Sequence, residues 1–214
     1  MSGMDHATPA PAPIDTSLFL SDVARIIAEE RAGAIAVTGP GALAGQLYLA
    51  DPESASLYNM ELAYATSVAL GIAVERPQER VIAIEGDGSL LAALGVLATI
   101  ARYQPANLAV VILVNGIYGT GDNSVPTQTG LGGDMGAVAL ALGWDRHRVL
   151  EARDAVGLRR AVSRAVAEPG PWLVQAYVDP GSYAKSAGRA RPGIDVAEAG
   201  VLLRRELERR RQTR

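Results

Sequence analysis

A three-layer α/β/α protein with a mostly parallel sheet is what this sequence predicts, on three observations. Short runs rich in Val and Ile alternate with longer Ala- and Leu-rich segments of helical period along most of the chain. The strand candidates VIAIE and LAVVILV are apolar at nearly every position, as strands covered on both faces are. Aromatic residues make up only 5% of a chain that is 49% hydrophobic, so the core must be built from Ala, Val, Leu and Ile.

The elements follow in order. Residues 1–16, rich in Ala, Pro and Thr and without hydrophobic period, predict a disordered tail. Ser21 is a candidate N-cap for the helix DVARIIAEERAG, with Gly33 as its stop. AIAVT (34–38) predicts a strand ending in a Gly/Pro turn, and ELAYATSVALGIAVE (61–75) a helix closed by Arg76-Pro77. VIAIE (81–85) is the next strand, SLLAALGVLATIARY (89–103) one helix, and LAVVILV (108–114) a strand. DMGAVALALG (134–143) then predicts a helix, RVLEA (148–152) a strand, DAVGLRRAVSRAVAE (154–168) an amphipathic helix, and WLVQAYV (172–178) the last strand. Connections of this length suit right-handed crossovers between parallel strands. The terminal VLLRRELERRRQTR reads as a helix with a solvated basic end, its arginines favoring the helix C-terminus. The expected organisation is a tail over 1–16, one domain over 17–184, and a C-terminal loop and basic helix over 185–214.

Composition excludes several classes. The net charge of −3 and pI near 5.5 give no general electrostatic reason to expect nucleic acid. The absence of cysteine removes disulfides, Cys-ligated zinc and iron–sulfur clusters. LAVVILV is far too short to span a bilayer, and MSGMDHATPAPAPID has neither a basic nor an apolar signal region, so the expected location is the cytoplasm.

One stretch carries chemistry. Gly86-Asp87-Gly88-Ser89 stands where the strand VIAIE ends and a helix begins. Such a turn can be punctuation, or it can hold a metal ion and a phosphate. Ligands of open parallel sheets bind at the carboxyl ends of strands, and a helix opening at Ser89 offers unpaired N–H groups to an anion. Two glycines let a backbone approach closely. An aspartate beside a diphosphate is repulsive unless a cation lies between them, so Asp87 implies a magnesium-like ion. A second ligand has to come from a neighboring strand end. LAVVILV leads into Asn115 of NGIYG, with 26 residues between Gly88 and Asn115, the length of a helix, a turn and a strand. Asp87, the Asn115 side-chain carbonyl and the backbone carbonyl of Ile117 make three hard oxygen ligands.

GDGS followed after 26 residues by the Asn of NGxYG resembles the diphosphate-binding signature of thiamine diphosphate (ThDP) enzymes. The stretch GDGSLLAALGVLATIARYQPANLAVVILVNGIYGTG is similar to the diphosphate-binding (PP) domain of ThDP-dependent 2-oxo acid decarboxylases. Within that family it resembles the sulfopyruvate decarboxylase β subunit and the C-terminal half of phosphonopyruvate decarboxylase. TGPGALAGQLY (38–48) and VPTQTG (125–130) extend the likeness over about residues 17–180. The resemblance implies metal ligation by Asp87, Asn115 and Ile117, and diphosphate contact by Gly86, Gly88 and Ser89, with Tyr118 beside the cofactor. It implies that Leu62 props the cofactor in its bent form and that the Met60 carbonyl accepts from the pyrimidine amino group. The implied chemistry is decarboxylation of a small anionic 2-oxo acid, sulfopyruvate- or phosphonopyruvate-like, with the thiazolium as electron sink and Mg2+ as the cation. The glutamate that activates the pyrimidine belongs to a second domain in this family. The resemblance therefore implies a separate pyrimidine-binding α subunit, an α2β2 assembly, no catalytic residue of that kind on this chain, and no activity of the chain alone.

The sequence departs from the pattern at Met60-Glu61-Leu62-Ala63, where the family carries Gly-Ser/Thr-Met-Gly, and at Val114, where many relatives carry Asn or Asp. Glu61 reads first as a first-turn carboxylate at a helix N-terminus, with an extra acid near the cofactor as the alternative. The departure leaves room for a non-catalytic or repurposed subunit, and for a lyase or synthase that passes the enamine to another acceptor. A β subunit of a 2-oxo acid:ferredoxin oxidoreductase is disfavored by the lack of cysteine. His6 falls in the tail, and His147, between Arg146 and Arg148, reads as a surface residue. Lys185 reads as part of a solvated loop or as a contact for an anionic group. Thr127 and Thr129 lie in the loop expected to border a substrate.

Overall fold

The computed structural model of the chain describes residues 10–119, 125–182 and 191–213. The expectations for His6 and Lys185 lie outside the described residues. The strands are β1 (Ile35–Thr38), β2 (Ser56–Leu57), β3 (Val81–Gly86), β4 (Leu108–Val114), β5 (Val149–Ala152) and β6 (Trp172–Tyr177). They form one sheet in the order β2-β1-β3-β4-β6-β5, and every neighboring pair is parallel. The helices are α1 (Leu20–Glu30), α2 (Ala42–Ala50), α3 (Ala65–Glu75), α4 (Asp87–Ala92), α5 (Gly95–Tyr103), α6 (Met135–Ala141), α7 (Ala155–Ala167) and α8 (Val196–Gln212).

Alternation along the strands divides the core in two. Ile82, Ile84, Val111 and Val174 face Val23, Ile27, Leu47, Leu158 and Val162 of α1, α2 and α7. Val37, Ala83, Val110, Ile112 and Leu173 face Ala69, Leu97, Ile100, Met135 and Leu203 of α3, α5, α6 and α8. The central strands are therefore covered on both sides, and all seven residues of β4 are buried. This is the α/β/α architecture and parallel sheet that the sequence predicts.

The strands from 34, 81, 108, 148 and 172 form within a residue or two of their expected bounds. Four features differ. The segment 89–103 is not one helix: α4 stops at Ala92 and α5 starts afresh at Gly95, which turns Val96, Leu97 and Ile100 onto the sheet. The helix expected from 61 starts at Ala65, because residues 61–64 are a turn in which Tyr64 N donates to Glu61 O at 3.1 Å. α2 and β2 are additional elements. α2 buries Ala42, Leu43, Ala44, Gly45 and Leu47, too much of its circumference to show a period, and β2 has two residues on an edge. Finally, the expected C-terminal helix forms as α8 with Arg204, Arg205, Arg209 and Arg211 exposed, but it starts at Val196, before the expected VLLRREL stretch, buries Ala199 and Leu203, and pairs Arg210 with Glu79 at 2.8 Å.

Residues 10–16, expected as tail, lie against the domain. Ala12 N donates to Gly130 O at 2.8 Å, and Thr16 Oγ1 bonds the carbonyls of Tyr177 at 2.6 Å and Arg153 at 2.9 Å. Backbone groups that find partners on strand ends and loops outweigh the missing hydrophobic period. The strand order changes direction between β1 and β3, and in open sheets that is where a ligand crevice opens at the carboxyl ends. No helix among the described residues is long and apolar enough to cross a membrane.

Candidate functional site

β3 ends at Gly86 and β4 at Val114, with Gly86 paired to Leu113, so Asp87 and Asn115 leave the same edge of the sheet side by side. Both are buried. They line a cavity of ≈ 140 Å³ together with Leu62, Gly86, Gly88, Ser89, Ile117 and Tyr118, while Pro40 and Leu43 close one wall. Seven of the eight expected cofactor residues and all three expected metal ligands thus converge on one space. Met60 stands outside that lining, its N–H bonded to Thr38 O at 2.9 Å.

Asp87 is the center of a buried network. Its Oδ2 accepts from Gly116 N at 3.1 Å, from Thr127 Oγ1 at 2.8 Å, and from Thr129 Oγ1. Its Oδ1 accepts from Gly88 N at 2.9 Å. Burial pushes the carboxyl above its ordinary value, and the bonds from Thr129, Thr127, Gly88 and Gly116 offset part of that. None of these donors is cationic, so the carboxylate sits in a low-dielectric place with no neutralizing charge among its bonded groups. Oδ2 is crowded by three donors, and Oδ1 keeps lone-pair capacity. Oδ1 is therefore the oxygen suited to a cation.

The second strand end is organized by a loop pair. Asn115 Oδ1 accepts from Ile117 N at 3.1 Å, which tightens the NGIYG turn, and Gly116 takes a left-handed φ of 73°. Ile117 bridges Pro126, Tyr118 N donates to Val125 O at 2.9 Å, and Thr127 N donates to Gly116 O at 3.0 Å. Gly130 packs so closely that a Cβ there would stand 2.0 Å from Gly116 O. Thr127 and Thr129, in the loop expected to border a substrate, turn their hydroxyls to Asp87.

Gly88 meets the same test of fit. A Cβ there would lie 2.5 Å from Tyr118 Cε1 and 3.0 Å from Thr127 Cγ2, so the position has room for backbone alone. The six-residue α4 carries little macrodipole, which leaves the backbone N–H groups of its first turn as the feature that favors an anion. Among the described residues no three His, Cys, Asp or Glu side chains converge as a metal cluster. A cation at Asp87 would therefore draw on amide and backbone oxygens, the hard donor set of Asn115 and Ile117.

Ser89 holds a finding that the motif does not show. Its hydroxyl donates to Glu85 Oε1 at 2.6 Å and accepts from Ala63 N at 2.8 Å. The hydroxyl is committed inside the protein, and Ser89 meets the cavity with its backbone. Glu85, read in the sequence as a strand residue, is 1% exposed, and its Oε2 accepts from Thr66 N at 3.0 Å and Thr66 Oγ1 at 2.6 Å. A charged residue ending an otherwise apolar strand was its one signal.

The 59–64 turn completes the rim. Asn59 and Ala63 have left-handed φ values of 56° and 77°, and Ala63 is the position at which the family pattern carries glycine. Glu61 is exposed in this turn, not in the first turn of α3, so the helix-terminus reading of its carboxylate does not hold. Leu62 and Tyr64 are also exposed. His147 is exposed in a short 3-10 turn remote from the cavity lining.

Comparisons with known proteins agree with this geometry. The chain is 32% identical over 181 residues to a phosphonopyruvate decarboxylase of Streptomyces viridochromogenes, covering 84% of this chain and 44% of that protein. It is 34% identical over 118 residues to the sulfopyruvate decarboxylase subunit beta of Methanothermobacter thermautotrophicus, covering 55% of this chain and 58% of that subunit. The chain thus spans less than half of the first relative and more than half of the second. Among solved structures, the thiamine diphosphate-dependent 4-hydroxybenzoylformate decarboxylase of Rhodococcus jostii RHA1 shares the fold, with a TM-score of 0.63 at 19% identity over 81% of this chain and 35% of that one. Residues 42–176 match the family described as thiamine pyrophosphate enzyme, C-terminal TPP binding domain, and the chain belongs to that family.

Proposed function

We propose that this chain is the diphosphate-holding β subunit of a heteromeric ThDP-dependent decarboxylase, working in the cytoplasm on a small anionic 2-oxo acid of the sulfopyruvate or phosphonopyruvate kind. The observation that carries the reading is the buried Asp87, saturated at Oδ2 and open at Oδ1, in one cavity with Asn115 and the glycine cradle at Gly88. Asp87 Oδ1, Asn115 Oδ1 and the Ile117 carbonyl would hold Mg2+. Gly86, Gly88 and Ser89 would receive the diphosphate through their backbone, and Tyr118 walls the cavity. Leu62 would prop the cofactor from the rim, and the Met60 carbonyl would accept from its amino group. When bound, ThDP supplies the electron sink for cleavage of the carboxylate–carbonyl bond and release of CO2.

The cavity volume of ≈ 140 Å³ lies below the ~300–1,000 Å³ of a whole small-molecule site. That supports a half-site, completed by a pyrimidine-domain α subunit that brings the activating glutamate, in an α2β2 assembly. Leu62 lines the cavity and is exposed, and Tyr64 in the same turn and Val125 and Leu131 in the 125–131 loop are exposed too; such apolar residues suit a neighbor. The substituted Met60–Ala63 turn raises the alternative of a repurposed subunit. The backbone at Ala63 has a left-handed φ of 77°, a conformation that suits the glycine of the family pattern, and this favors a retained cofactor rim. Co-expression with the α-like subunit and assay of CO2 release with ThDP and Mg2+ tests the reading. Activity lost in Asp87→Asn is the expected result. An assembled complex that neither binds ThDP nor releases CO2 from any small 2-oxo acid would contradict it.

A further inference from the structure

The residue before the glycine pair has no part in the reading above, yet it is among the most heavily bonded side chains near the cavity. Glu85 ends the buried face of β3 that packs on α3, and it touches three segments at once. Oε2 takes both the N–H and the hydroxyl of Thr66 at the entry to α3, at 3.0 and 2.6 Å. Oε1 takes the hydroxyl of Ser89 at 2.6 Å. Its Cγ packs beside Gly39 in the loop after β1, where a Cβ would stand 3.5 Å away.

A hydroxyl has one proton. Because Ser89 spends it on Glu85, the Ser89 oxygen can only accept from its other neighbor, and it accepts from Ala63 N at 2.8 Å. The carboxylate therefore sets the direction of a short chain, Ala63 N–H to Ser89 Oγ–H to Glu85. This chain holds the backbone of a residue kept at a φ of 77°, a left-handed conformation unfavorable for alanine. The neighboring Leu62 is the one residue of the turn that lines the cavity. The other end of the turn is tied to β1, through Asn59 N to Thr38 Oγ1 at 3.0 Å and Met60 N to Thr38 O at 2.9 Å.

We infer that Glu85 is a positioning residue for the cofactor rim: through Ser89 it clamps the 59–64 turn in its left-handed form and so fixes Leu62 over the cavity. Glu85 itself reaches no ligand. The inference about the turn stands on this chain's own bonds, and its consequence for ThDP rests on the function proposed above.

The test uses Ser89→Ala, which removes the bridge alone, and Glu85→Gln, which leaves one buried donor without an acceptor whichever way the amide faces. Hydrogen exchange is followed in the full chain by mass spectrometry, and Mg2+-dependent ThDP affinity is measured on the chain assembled with its partner. Both variants are expected to exchange faster over residues 60–66, with β4 unchanged, and to lose ThDP affinity by about ten- to a hundredfold. Asp87→Asn serves as the contrast, losing ThDP with no change over 60–66. If Glu85→Gln does not fold, Ser89→Ala decides. Should wild-type protein bind no ThDP, the proposed function fails, and the exchange result alone judges the clamp. Wild-type exchange over 60–66 in Ser89→Ala, or faster exchange with undiminished ThDP affinity where the wild type binds, overturns the inference.

Discussion

Two turns face each other across the cavity and are built in opposite ways. The turn at 86–89 is buried, follows the family pattern residue for residue, and is held through one carboxylate that takes four donors, Gly88 within the turn and Gly116, Thr127 and Thr129 from the facing loops. The turn at 59–64 is exposed, has lost both expected glycines, and carries two non-glycine residues at positive φ. The first is held by its own neighborhood. The second depends on two outside anchors, Thr38 and Ser89, and presents apolar Leu62 and Tyr64 to whatever lies beyond the rim. The signature thus marks the turn whose carboxylate is buried among many donors, and the departures from the pattern fall in the exposed turn.

The contrast can be broken most forcefully at Asp87. Asp87→Ala leaves two hydroxyls and two backbone N–H groups without their acceptor in a buried place, and the expected loss of unfolding free energy in denaturant titration is about 3 kcal/mol. A loss near that of a surface substitution would mean that the 86–89 turn is not self-supporting. Gly130→Ala strikes the loop that brings Thr127 and Thr129 to Asp87, since its Cβ would meet the Gly116 carbonyl. Overpacking against backbone is expected to cost about 1–3 kcal/mol and to expose 125–131 to faster hydrogen exchange.

The exposed turn should respond with the opposite sign. Ala63→Gly relieves a left-handed alanine, partly offset by the entropy of an added glycine, so unfolding should show a gain of about 0.5–1 kcal/mol. A loss would mean that the φ at Ala63 is not strained.

The finest comparison is by pH. The folded carboxyl of Asp87 is raised above its ordinary 3.8, so the folded protein holds this proton more tightly than the unfolded chain. Its contribution favors the fold at low pH and is lost as pH rises from 3.8 through the folded value. With a chelator present, the stability difference between wild type and Asp87→Asn should therefore shift against wild type over that window. Mg2+, which needs the ionized carboxylate, should reverse the trend. A difference flat with pH would contradict the burial that defines this turn.

How legible the molecule was in its sequence follows from the same contrast. β3 and β4 declare themselves because both faces are covered and their residues are apolar, Glu85 at the end of β3 excepted, and the GDG and NGIYG turns because each follows such a strand. α2 stayed hidden since it is buried over too much of its surface to show a period, and β2 since two edge residues make no run. The break between α4 and α5 falls at Gly95, a single weak helix former in an otherwise Ala/Leu-rich stretch, which by itself does not mark a break, so tertiary packing decides it. Within the site, the placement of Asp87, Asn115 and Ile117 could be argued from spacing. The bond from Ala63 to Ser89 and the roles of Glu85, Thr127 and Thr129 could not, because each depends on a hydrogen bond between residues 19 to 42 positions apart or on which lone pair is already taken. The N-terminal strap was lost to composition: Ala12 and Thr16 are held by backbone and hydroxyl bonds that hydrophobic patterning does not register.

The account rests on Asp87 carrying a cation that in turn carries a diphosphate. Calorimetric titration of ThDP into the chain co-expressed with the proposed α-like subunit, with Mg2+ and again with chelator, measures this most directly. Saturable binding that requires Mg2+ and disappears in Asp87→Asn is the predicted result. No binding, or binding equally strong in chelator and in the variant, would contradict it.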